Sequence, residues 1–280
     1  MKPGQASQTA VIVCMGRAAA HGTTSVARFS DPTASALLPA EARARVERFR
    51  AGVAEGGLRG KLARTFLDRR AKMMVTRTVA IDDAVRAVAS PQVVILGAGL
   101  DGRAWRMPEL RDAIVFEVDH PDSQRDKQTR ITTLTQAARE VRFVPVDFVR
   151  DKLDDALAAA GHDATRPTTW IWEGVVMYLT PAEVESSLAV IARRSAPASR
   201  LIIAYFCPAL ILHLLGFIVR RVGEPLRSTF TVDAMRALLA KHGFTVVRDE
   251  GLPAIGAALG GDVAQPMKGM KHMHIVTAER

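Results

Sequence analysis

The chain contains 280 residues, of which 48% are hydrophobic and only 5% are aromatic. This length suits one α/β domain with an added helical cap, and an aliphatic core of this size folds without metal or disulfide support. The two cysteines, Cys14 and Cys207, match neither a disulfide framework nor a metal-ligand spacing, which predicts a reducing, cytoplasmic location. The net charge is +9, but the basic residues form scattered pairs with acids between them, so we expect no nucleic-acid partner.

The first 89 residues show helical patterning and no convincing strand. Apolar residues such as Leu62, Phe66 and Val79 recur at spacings typical of a helix. The stretches Ser30–Pro39 and Ala51–Gly60 are rich in turn-forming residues and predict breaks between helices. We therefore predict a helical cap or lid over residues 1–89 and the main α/β unit over residues 90–280.

After Pro91, short apolar runs alternate with helical segments. Seven of these runs are strand candidates: Val93–Leu96, Ala113–Val118, Val141–Val146, Thr168–Trp172, Leu201–Tyr205, Thr245–Val247 and His274–Val276. Strands separated by helices in this way predict a doubly wound α/β fold with a largely parallel sheet and helices on both faces.

A stretch of 19 residues, Leu201–Val219, contains no charged side chain and is long enough to span a membrane. Pro208 divides it, and its first half is rich in β-branched and aromatic residues. We therefore predict a buried strand over Leu201–Phe206 and an apolar helix over Leu210–Val219 that covers a cavity. We expect no membrane span, and a lipid-facing role for the second half stays open.

The first predicted strand is followed by a complete G-x-G-x-x-G, formed by Gly97, Gly99 and Gly102. Such a loop lets the backbone approach a ligand closely and is the fingerprint of dinucleotide-binding proteins. Two features argue against a dinucleotide here. Pro108 leaves no room for a regular first helix, and Asp101 places a carboxylate where a pyrophosphate would approach. Asp101 suits instead a ligand ammonium group or a hydrogen bond within the loop.

Acidic residues end the next three strands: Asp119, Asp147 and Glu173. Asp119 follows Gly97 by 22 residues, near the offset at which a carboxylate binds ribose hydroxyls. In open α/β sheets the carboxyl ends of the strands share one ligand crevice. A cofactor with a ribose, an adenine amine, an ammonium group and a sulfonium matches these acceptors, and S-adenosylmethionine is such a cofactor. Helix capping is the alternative role for each acid taken alone.

Four motifs carry a family resemblance: "VVILGAGLDGRAWR", "VFEVDHP", "VPVDF" and "WEGVVMYL". With them the chain resembles the leucine carboxyl methyltransferase-like family of class I S-adenosylmethionine-dependent methyltransferases, in its bacterial branch. The resemblance covers about residues 60 to 250. It implies a Rossmann-like, seven-stranded sheet in the order 3-2-1-4-5-7-6 with an antiparallel last strand, and N-terminal helices that form a lid over the site.

The resemblance also implies roles for individual residues. Gly97 and the neighbouring backbone, with Ala98, Gly99 and Asp101, would hold the methionine portion of the cofactor. Asp119 would bind the ribose, and Asp147 with Phe148 would bind the adenine. Glu173 would bind the amino group and Arg77 the carboxylate. Many relatives carry Thr or Ser where this chain has Gly102, to which we assign no function.

The predicted function is S-adenosylmethionine-dependent O-methyl transfer to a small molecule, with a carboxyl group as the candidate acceptor. Tyr178 is a candidate substrate contact, whereas His120 is interpreted as a helix cap and no catalytic base is assigned. His272 and His274 lack further ligands nearby in sequence, so no metal is expected. Two alternatives stay open: an NAD(P)-dependent reductase, and a catalytically silent binding protein that keeps the fold.

Overall fold

The computed structural model describes residues 7–53, 56–147, 151–209 and 226–280. Seven strands form one sheet: β1 (Gln92–Leu96), β2 (Ile114–Asp119), β3 (Glu140–Pro145), β4 (Thr168–Trp172), β5 (Arg200–Phe206), β6 (Thr245–Gly251) and β7 (Met273–Glu279). Their order is β3-β2-β1-β4-β5-β7-β6. Strands β1 to β5 pair in parallel, and β7 runs antiparallel to both β5 and β6. The predicted fold class and strand order are confirmed.

Helices surround this sheet. In the described residues they are α1 (Gln8–Ala20), α2 (Ala34–Leu37), α3 (Ala40–Arg50), α4 (Gly57–Arg86), α5 (Arg103–Arg106), α6 (Pro121–Arg130), α7 (Leu153–Ala159), α8 (Pro181–Arg193), α9 (Val232–Lys241), α10 (Leu252–Leu259) and α11 (Ala264–Met267). The first predicted break, Ser30–Pro39, contains the one-turn helix α2. The second break is shorter than predicted, because α4 begins within it at Gly57.

The two faces of the sheet bury separate apolar clusters. Side chains of alternate residues point to opposite faces of a strand, so Val93 and Ile95 join one cluster while Val94 and Leu96 join the other. The first cluster packs the sheet against α1 and α4, and the second packs it against α8 and α9. The sheet is therefore covered on both faces, as parallel sheets require.

The connection after β1 has the truncated form that Pro108 predicts. Helix α5 has only four residues and is followed by a 3-10 turn at Pro108–Leu110. The chain then enters β2 at Ile114. A regular first helix, which usually packs behind a dinucleotide-binding loop, is thus replaced by this short turn.

Helix α4 contains residues whose apolar spacing predicted a helix. Leu62 and Phe66 lie in it as expected, and their side chains are exposed to 61% and 58%. The buried residues of this helix lie mainly between Ala71 and Val85. The N-terminal half of α4 therefore projects apolar side chains into solvent.

The long apolar stretch divides where the sequence predicts. Its first part forms the buried strand β5, whereas the predicted helix at Leu210–Val219 lies outside the described residues. In the portion of the chain that the structure describes, no helix has the length and apolar character needed to cross a membrane.

Candidate cofactor site

A cavity of about 450 Å³ opens at the carboxyl end of the sheet. It lies beside β1, which pairs with β2 on one side and with β4 on the other. Strands β2 and β3 are added on one side of β1 and the later strands on the other side, so the strand order reverses here. Ligands of open α/β proteins bind at such a switch point. The cavity is lined by the loop after β1, by the ends of β2 and β4, and by helices α1 and α4.

The glycine loop forms the floor of this cavity. Gly97 and Gly99 have φ angles of +68° and +48°, which side-chain-bearing residues rarely adopt. A Cβ on Gly97 would lie 2.2 Å from a methyl carbon of Val175, so the site has no room for one. The amides of Gly97 and Ala98 donate to the Val118 carbonyl at 2.8 and 3.0 Å. The loop is thus held against β2, and Gly97, Ala98 and Gly99 all reach the cavity as predicted.

Asp119 ties the end of β2 to this loop. One carboxylate oxygen accepts a hydrogen bond from the Gly99 amide at 2.5 Å, and the other accepts from the His120 amide at 2.6 Å. The Ser123 hydroxyl also bonds to this carboxylate, which has about four acceptor sites, so a site remains for a ligand hydroxyl. Burial raises the pKa of Asp119, while the two amides act in the opposite direction. Asp119 lines the cavity, so the structure brings it to the glycine loop.

Asp101 forms the loop hydrogen bond that was one of its two expected roles. Its carboxylate accepts from the Arg103 amide at 2.7 Å and from the Arg103 guanidinium. Asp101 thus occupies the start of α5, the position at which a helix N-terminus would bind a phosphate. A pyrophosphate there would meet a buried carboxylate. This arrangement argues against a dinucleotide more directly than the sequence did.

Arg77 and Glu173 form a buried ion pair at the wall of the cavity. The Arg77 Nε atom lies 2.6 Å from Oε1 of Glu173, and both side chains are less than 10% exposed. Burial by itself would raise the pKa of Glu173, but the charges of Arg77 and Arg103 outweigh it and hold the pKa well below its ordinary value. Oε1 of Glu173 has no hydrogen-bond donor of correct geometry. Oε1 of Glu173 therefore lies next to the Arg77 guanidinium but accepts no hydrogen bond of correct geometry from it.

Arg103 is the centre of the charge network and was not identified from the sequence. It is fully buried and donates to Asp82 at 2.8 Å and to Glu173 at 2.8 Å, in addition to its bonds with Asp101. Arg106 continues the network by donating to Asp82 at 2.6 Å. A guanidinium fixed in this way orients Glu173 toward the cavity. The signal in the sequence was an arginine directly after the third glycine.

Helix α1 supplies a second group of residues that the sequence did not identify. Thr9, Ala10, Val13 and Arg17 line the cavity from one side of this helix. Arg17 is buried, pairs with Asp31 at 2.8 Å, and donates to the carbonyl of Leu100 in the glycine loop at 2.5 Å. A lone arginine inside an apolar helix was the available signal, because a buried charge needs a partner.

The remaining predicted residues lie in different places. Asp147 follows β3 outside the cavity lining, and its amide bonds to the Asp151 carboxylate at 2.8 Å. Phe148 lies outside the described residues. Tyr178 lines the cavity. His120 accepts a hydrogen bond from the Asp122 amide at 3.2 Å and caps α6, as interpreted from the sequence.

Gly102 has a packing role that the sequence did not reveal. A Cβ at this position would lie 2.1 Å from the hydroxyl oxygen of Thr33 and 3.4 Å from Asp31. The third glycine therefore lets the segment before α2 approach the loop. Of the two histidines considered for metal binding, His274 bonds to Asp249 at 3.0 Å and His272 packs against Phe206. Within the described residues no cluster of metal-binding side chains occurs.

The sheet order, the antiparallel last strand and the cavity at the switch point define a Rossmann-like fold of the methyltransferase type. The sequence profile described as leucine carboxyl methyltransferase matches residues 10–192. Since this match covers more than half of the chain, the protein belongs to the leucine carboxyl methyltransferase family.

Individual relatives agree with this assignment. The chain is 39% identical over 180 residues to a protein of Mycolicibacterium gilvum named "Putative S-adenosyl-L-methionine-dependent methyltransferase", a match over 63% of this chain and 58% of that one. A protein of Frankia alni with the same description is 44% identical over 132 residues, or 46% of each chain. The chain spans about half the length of the relatives that it matches, between 43% and 58% of each.

A solved structure shows the same fold. An O-methyltransferase family protein from Burkholderia thailandensis superposes with a TM-score of 0.50 at 11% sequence identity, over 76% of this chain and 60% of that one. At this identity the similarity concerns the fold alone.

Proposed function

We propose that the protein is an S-adenosylmethionine-dependent O-methyltransferase that methylates a carboxyl group of a small molecule. One observation carries the proposal. The paired charges of Arg77 and Glu173 line the same cavity as the glycine loop and Asp119. An α-amino acid carries an ammonium and a carboxylate side by side, and this pair of side chains is complementary to both. A ribose next to it would meet Asp119.

The residues present fit this cofactor. Gly97 and Gly99 form a cradle that a Cβ would fill, and the unmet oxygen of Glu173 is an acceptor suited to an ammonium group. When bound, S-adenosylmethionine supplies an activated methyl group. The protein's own contribution is to position the two reactants and to exclude water from the cavity. Asp147 and Phe148 remain the proposed adenine contacts, and Tyr178 the proposed acceptor contact.

A carboxyl acceptor is favoured by its own chemistry as well as by the family. A carboxylate is already an anion near neutral pH and needs no general base, whereas a hydroxyl acceptor needs one. The name of the matched family points the same way.

The first test is calorimetric titration with S-adenosylhomocysteine. We expect Asp119→Ala to weaken binding about 10- to 100-fold, because hydrogen bonds to a charged group worth about 1.5–3 kcal/mol are lost. Asp112→Ala is the matched control, since the Asp112 side chain is 90% exposed and lies before β2 rather than at its end. Unchanged affinity in Asp119→Ala would refute the ribose assignment.

Two further measurements separate the alternatives. A thermal shift with NAD(P)H but not with S-adenosylhomocysteine would favour a reductase. A radiolabelled-methyl assay over metabolite extracts, followed by base treatment, identifies the acceptor class because carboxyl esters release the label in base. Stable label would contradict carboxyl methylation. Cofactor binding without transfer to any acceptor would favour the catalytically silent alternative.

A further inference from the structure

The positive charge of the protein is concentrated in one structural unit. Residues 40–72 comprise helix α3, the N-terminal half of α4 and the sequence that joins them, and they are called the basic hairpin here. This segment holds ten of the 38 Lys and Arg residues but only four of the 29 Asp and Glu residues. It therefore carries +6 of the net charge of +9. The cations that look scattered along the sequence are in fact unevenly distributed.

The same hairpin holds most of the exposed apolar side chains. Five large hydrophobic residues are more than half exposed within the described part of the chain, and four of them lie between Val53 and Phe66. Leu58, Leu62 and Phe66 are exposed to 74%, 61% and 58% and are spaced four residues apart on α4. Side chains four apart share one helix face, so these three form a stripe that points away from the protein core.

Cations border this apolar stripe. Arg59 and Lys61 are exposed and lie between Leu58 and Leu62 in sequence. The Arg70 guanidinium lies 5.1 Å from the ring centre of Phe66. Arg45 and Arg50 extend the charge onto α3, which packs beside α4 where Arg64 lies over the Phe49 ring at 4.9 Å. In the described ranges, the exposed cations Arg45, Arg50, Arg59, Lys61 and Arg64 form no salt bridge with an acidic side chain.

The chemistry of this surface selects one partner. A nucleic acid would neutralise the cations but leave an aliphatic stripe exposed to water. A second copy would bring two surfaces of charge +6 together. An anionic bilayer satisfies both parts, since its headgroups pair with the cations while Leu and Phe side chains enter the acyl boundary. We propose that the basic hairpin docks the protein onto an anionic phospholipid membrane surface, with Leu58, Leu62 and Phe66 inserted.

This docking site is connected to the cavity by a single helix. From Phe66 to Arg77, α4 continues without interruption over eleven residues, which corresponds to about 16 Å. The same continuous helix thus carries both the apolar stripe and Arg77 at the wall of the cavity. Membrane docking does not depend on the proposed methyl transfer, and its test requires neither cofactor nor acceptor.

The test is flotation of the full-length protein with vesicles. Vesicles of phosphatidylcholine alone are compared with vesicles that contain about 30% phosphatidylglycerol, at low salt and at about 0.5 M NaCl. We expect binding to the anionic vesicles only, and weaker binding at high salt. Equal binding to both compositions, or binding to neither, would overturn the proposal.

Paired variants separate the two contributions. Arg59→Gln/Lys61→Gln should lower the partition coefficient about 25-fold, at about fivefold for each of the two cations removed. Leu62→Gln/Phe66→Gln should lower it at least about tenfold, because the inserted apolar area is lost. The matched controls are Arg139→Gln/Arg166→Gln and Val247→Gln, which change exposed residues outside the hairpin and should bind like the wild type.

Other occupants would give different results. If Leu62→Gln/Phe66→Gln binds anionic vesicles as well as the wild type, the apolar stripe is not inserted and the proposal fails. Sedimentation velocity tests self-association. A concentration-dependent dimer that Leu62→Gln/Phe66→Gln abolishes, without vesicle binding by the wild type, would assign the stripe to a second copy. Circular dichroism confirms that each variant is folded before these outcomes are compared.

Discussion

At the scale of single residues, Gly97 combines two constraints that usually occur apart. Its φ of +68° excludes most side chains through backbone strain, and the Val175 methyl 2.2 Å from its notional Cβ excludes them through contact. Gly243 has a similar φ of +78°, but nothing lies within 4 Å of its notional Cβ. The two positions therefore separate backbone strain from steric fit.

We expect Gly243→Ala to lower the free energy of unfolding by about 1–2 kcal/mol through left-handed strain alone. Gly97→Ala should lose about 1–3 kcal/mol more from overpacking, and its affinity for S-adenosylhomocysteine should fall, because the cradle is filled. Urea denaturation and calorimetry measure the two effects. Val175→Ala should restore part of the loss in Gly97→Ala; equal stability of the two alanine variants would contradict the contact argument.

Glu117 makes the stability of the protein depend on pH. It is buried on β2 beside Lys127, whose ammonium lies 2.6 Å from its carboxylate. Burial raises the pKa of Glu117 from 4.5 to about 7, although Lys127 acts in the opposite direction. The folded state therefore holds this proton more tightly than the unfolded state does. This contribution to the free energy of unfolding is present below about pH 4.5 and is lost as the pH rises toward about 7.

The measurement is urea unfolding between pH 4.5 and 8 for the wild type and for Glu117→Gln/Lys127→Met, which removes both titrating groups. The wild type should lose stability relative to this variant as the pH rises through that range. A difference that stays constant with pH would show that the Glu117 carboxyl has an ordinary pKa in the folded protein.

Residue types in the site were predictable, but their partners were not. Asp119 and Glu173 were identified because acids at strand ends follow from the strand pattern alone. The bonds of Arg103 to Asp82 and Glu173 join residues 21 and 70 positions apart, and no local pattern specifies such pairs. Gly102 was undervalued for the same reason, since its neighbour Thr33 belongs to a distant segment.

At the scale of elements, α1 is held in place by charge as much as by apolar packing. Its inner face is buried between Cys14 and Ala20, yet Arg17 lies in the middle of it. The side chains of Arg17 and Asp31 are 8% and 0% exposed. A buried pair contributes little net stability when intact, but leaves an uncompensated charge when one partner is removed.

Arg17→Met should therefore destabilise the protein by about 3–5 kcal/mol, because Asp31 stays buried without its main partner. Hydrogen exchange of the α1 amides should accelerate, and cofactor affinity should fall as the wall of the cavity loosens. Arg28→Met is the matched control: Arg28 pairs with Asp83 but is 61% exposed, so a change of about 0–1 kcal/mol is expected. Equal hydrogen exchange of the α1 amides in the two variants would contradict a role of the Arg17–Asp31 ion pair in holding α1 in place.

The elements themselves followed closely from the sequence. All seven strands lie where runs of three to six residues predicted them. The first five are parallel strands whose apolar runs fit a covered sheet, whereas β6 and β7 extend to seven residues and pair antiparallel. The sequence predicted a break over Ala51–Gly60, but α4 begins at Gly57. Its first turns pack little against the core, and their apolar residues face solvent, so the usual pattern of inward-facing apolar residues does not mark the start of the helix. The helix predicted at Leu210–Val219 stays a prediction.

At the scale of the whole molecule, the N-terminal helices and the sheet share one apolar cluster. Strand residues such as Val93, Ile171 and Ile202 belong to the same cluster as Met74 and Val79 of α4. Buried ion pairs cross the same boundary, between Arg77 and Glu173 and between Asp82 and Arg103. The proposed cap over residues 1–89 is thus one half of a common core.

A fragment of residues 90–280 should consequently fail to fold cooperatively. Its sheet would expose one apolar face, and Glu173 would lose Arg77. We expect a broad thermal transition and strong binding of a hydrophobic dye, whereas the full chain should unfold in one sharp transition. A sharp transition and native-like near-ultraviolet dichroism in the fragment would show that the sheet needs no cap.

The shared core also has a consequence for synthesis. Helices α1 to α4 leave the ribosome before the strands that bury them, and these strands extend to Ile275 in β7, 189 residues after the end of α4. At about 5–20 residues per second, this interval lasts roughly 9–38 seconds. During that time the inner faces of α1 and α4 lack the complete sheet against which they pack. We therefore expect these helices to reach their final packing only after β7 has been synthesised.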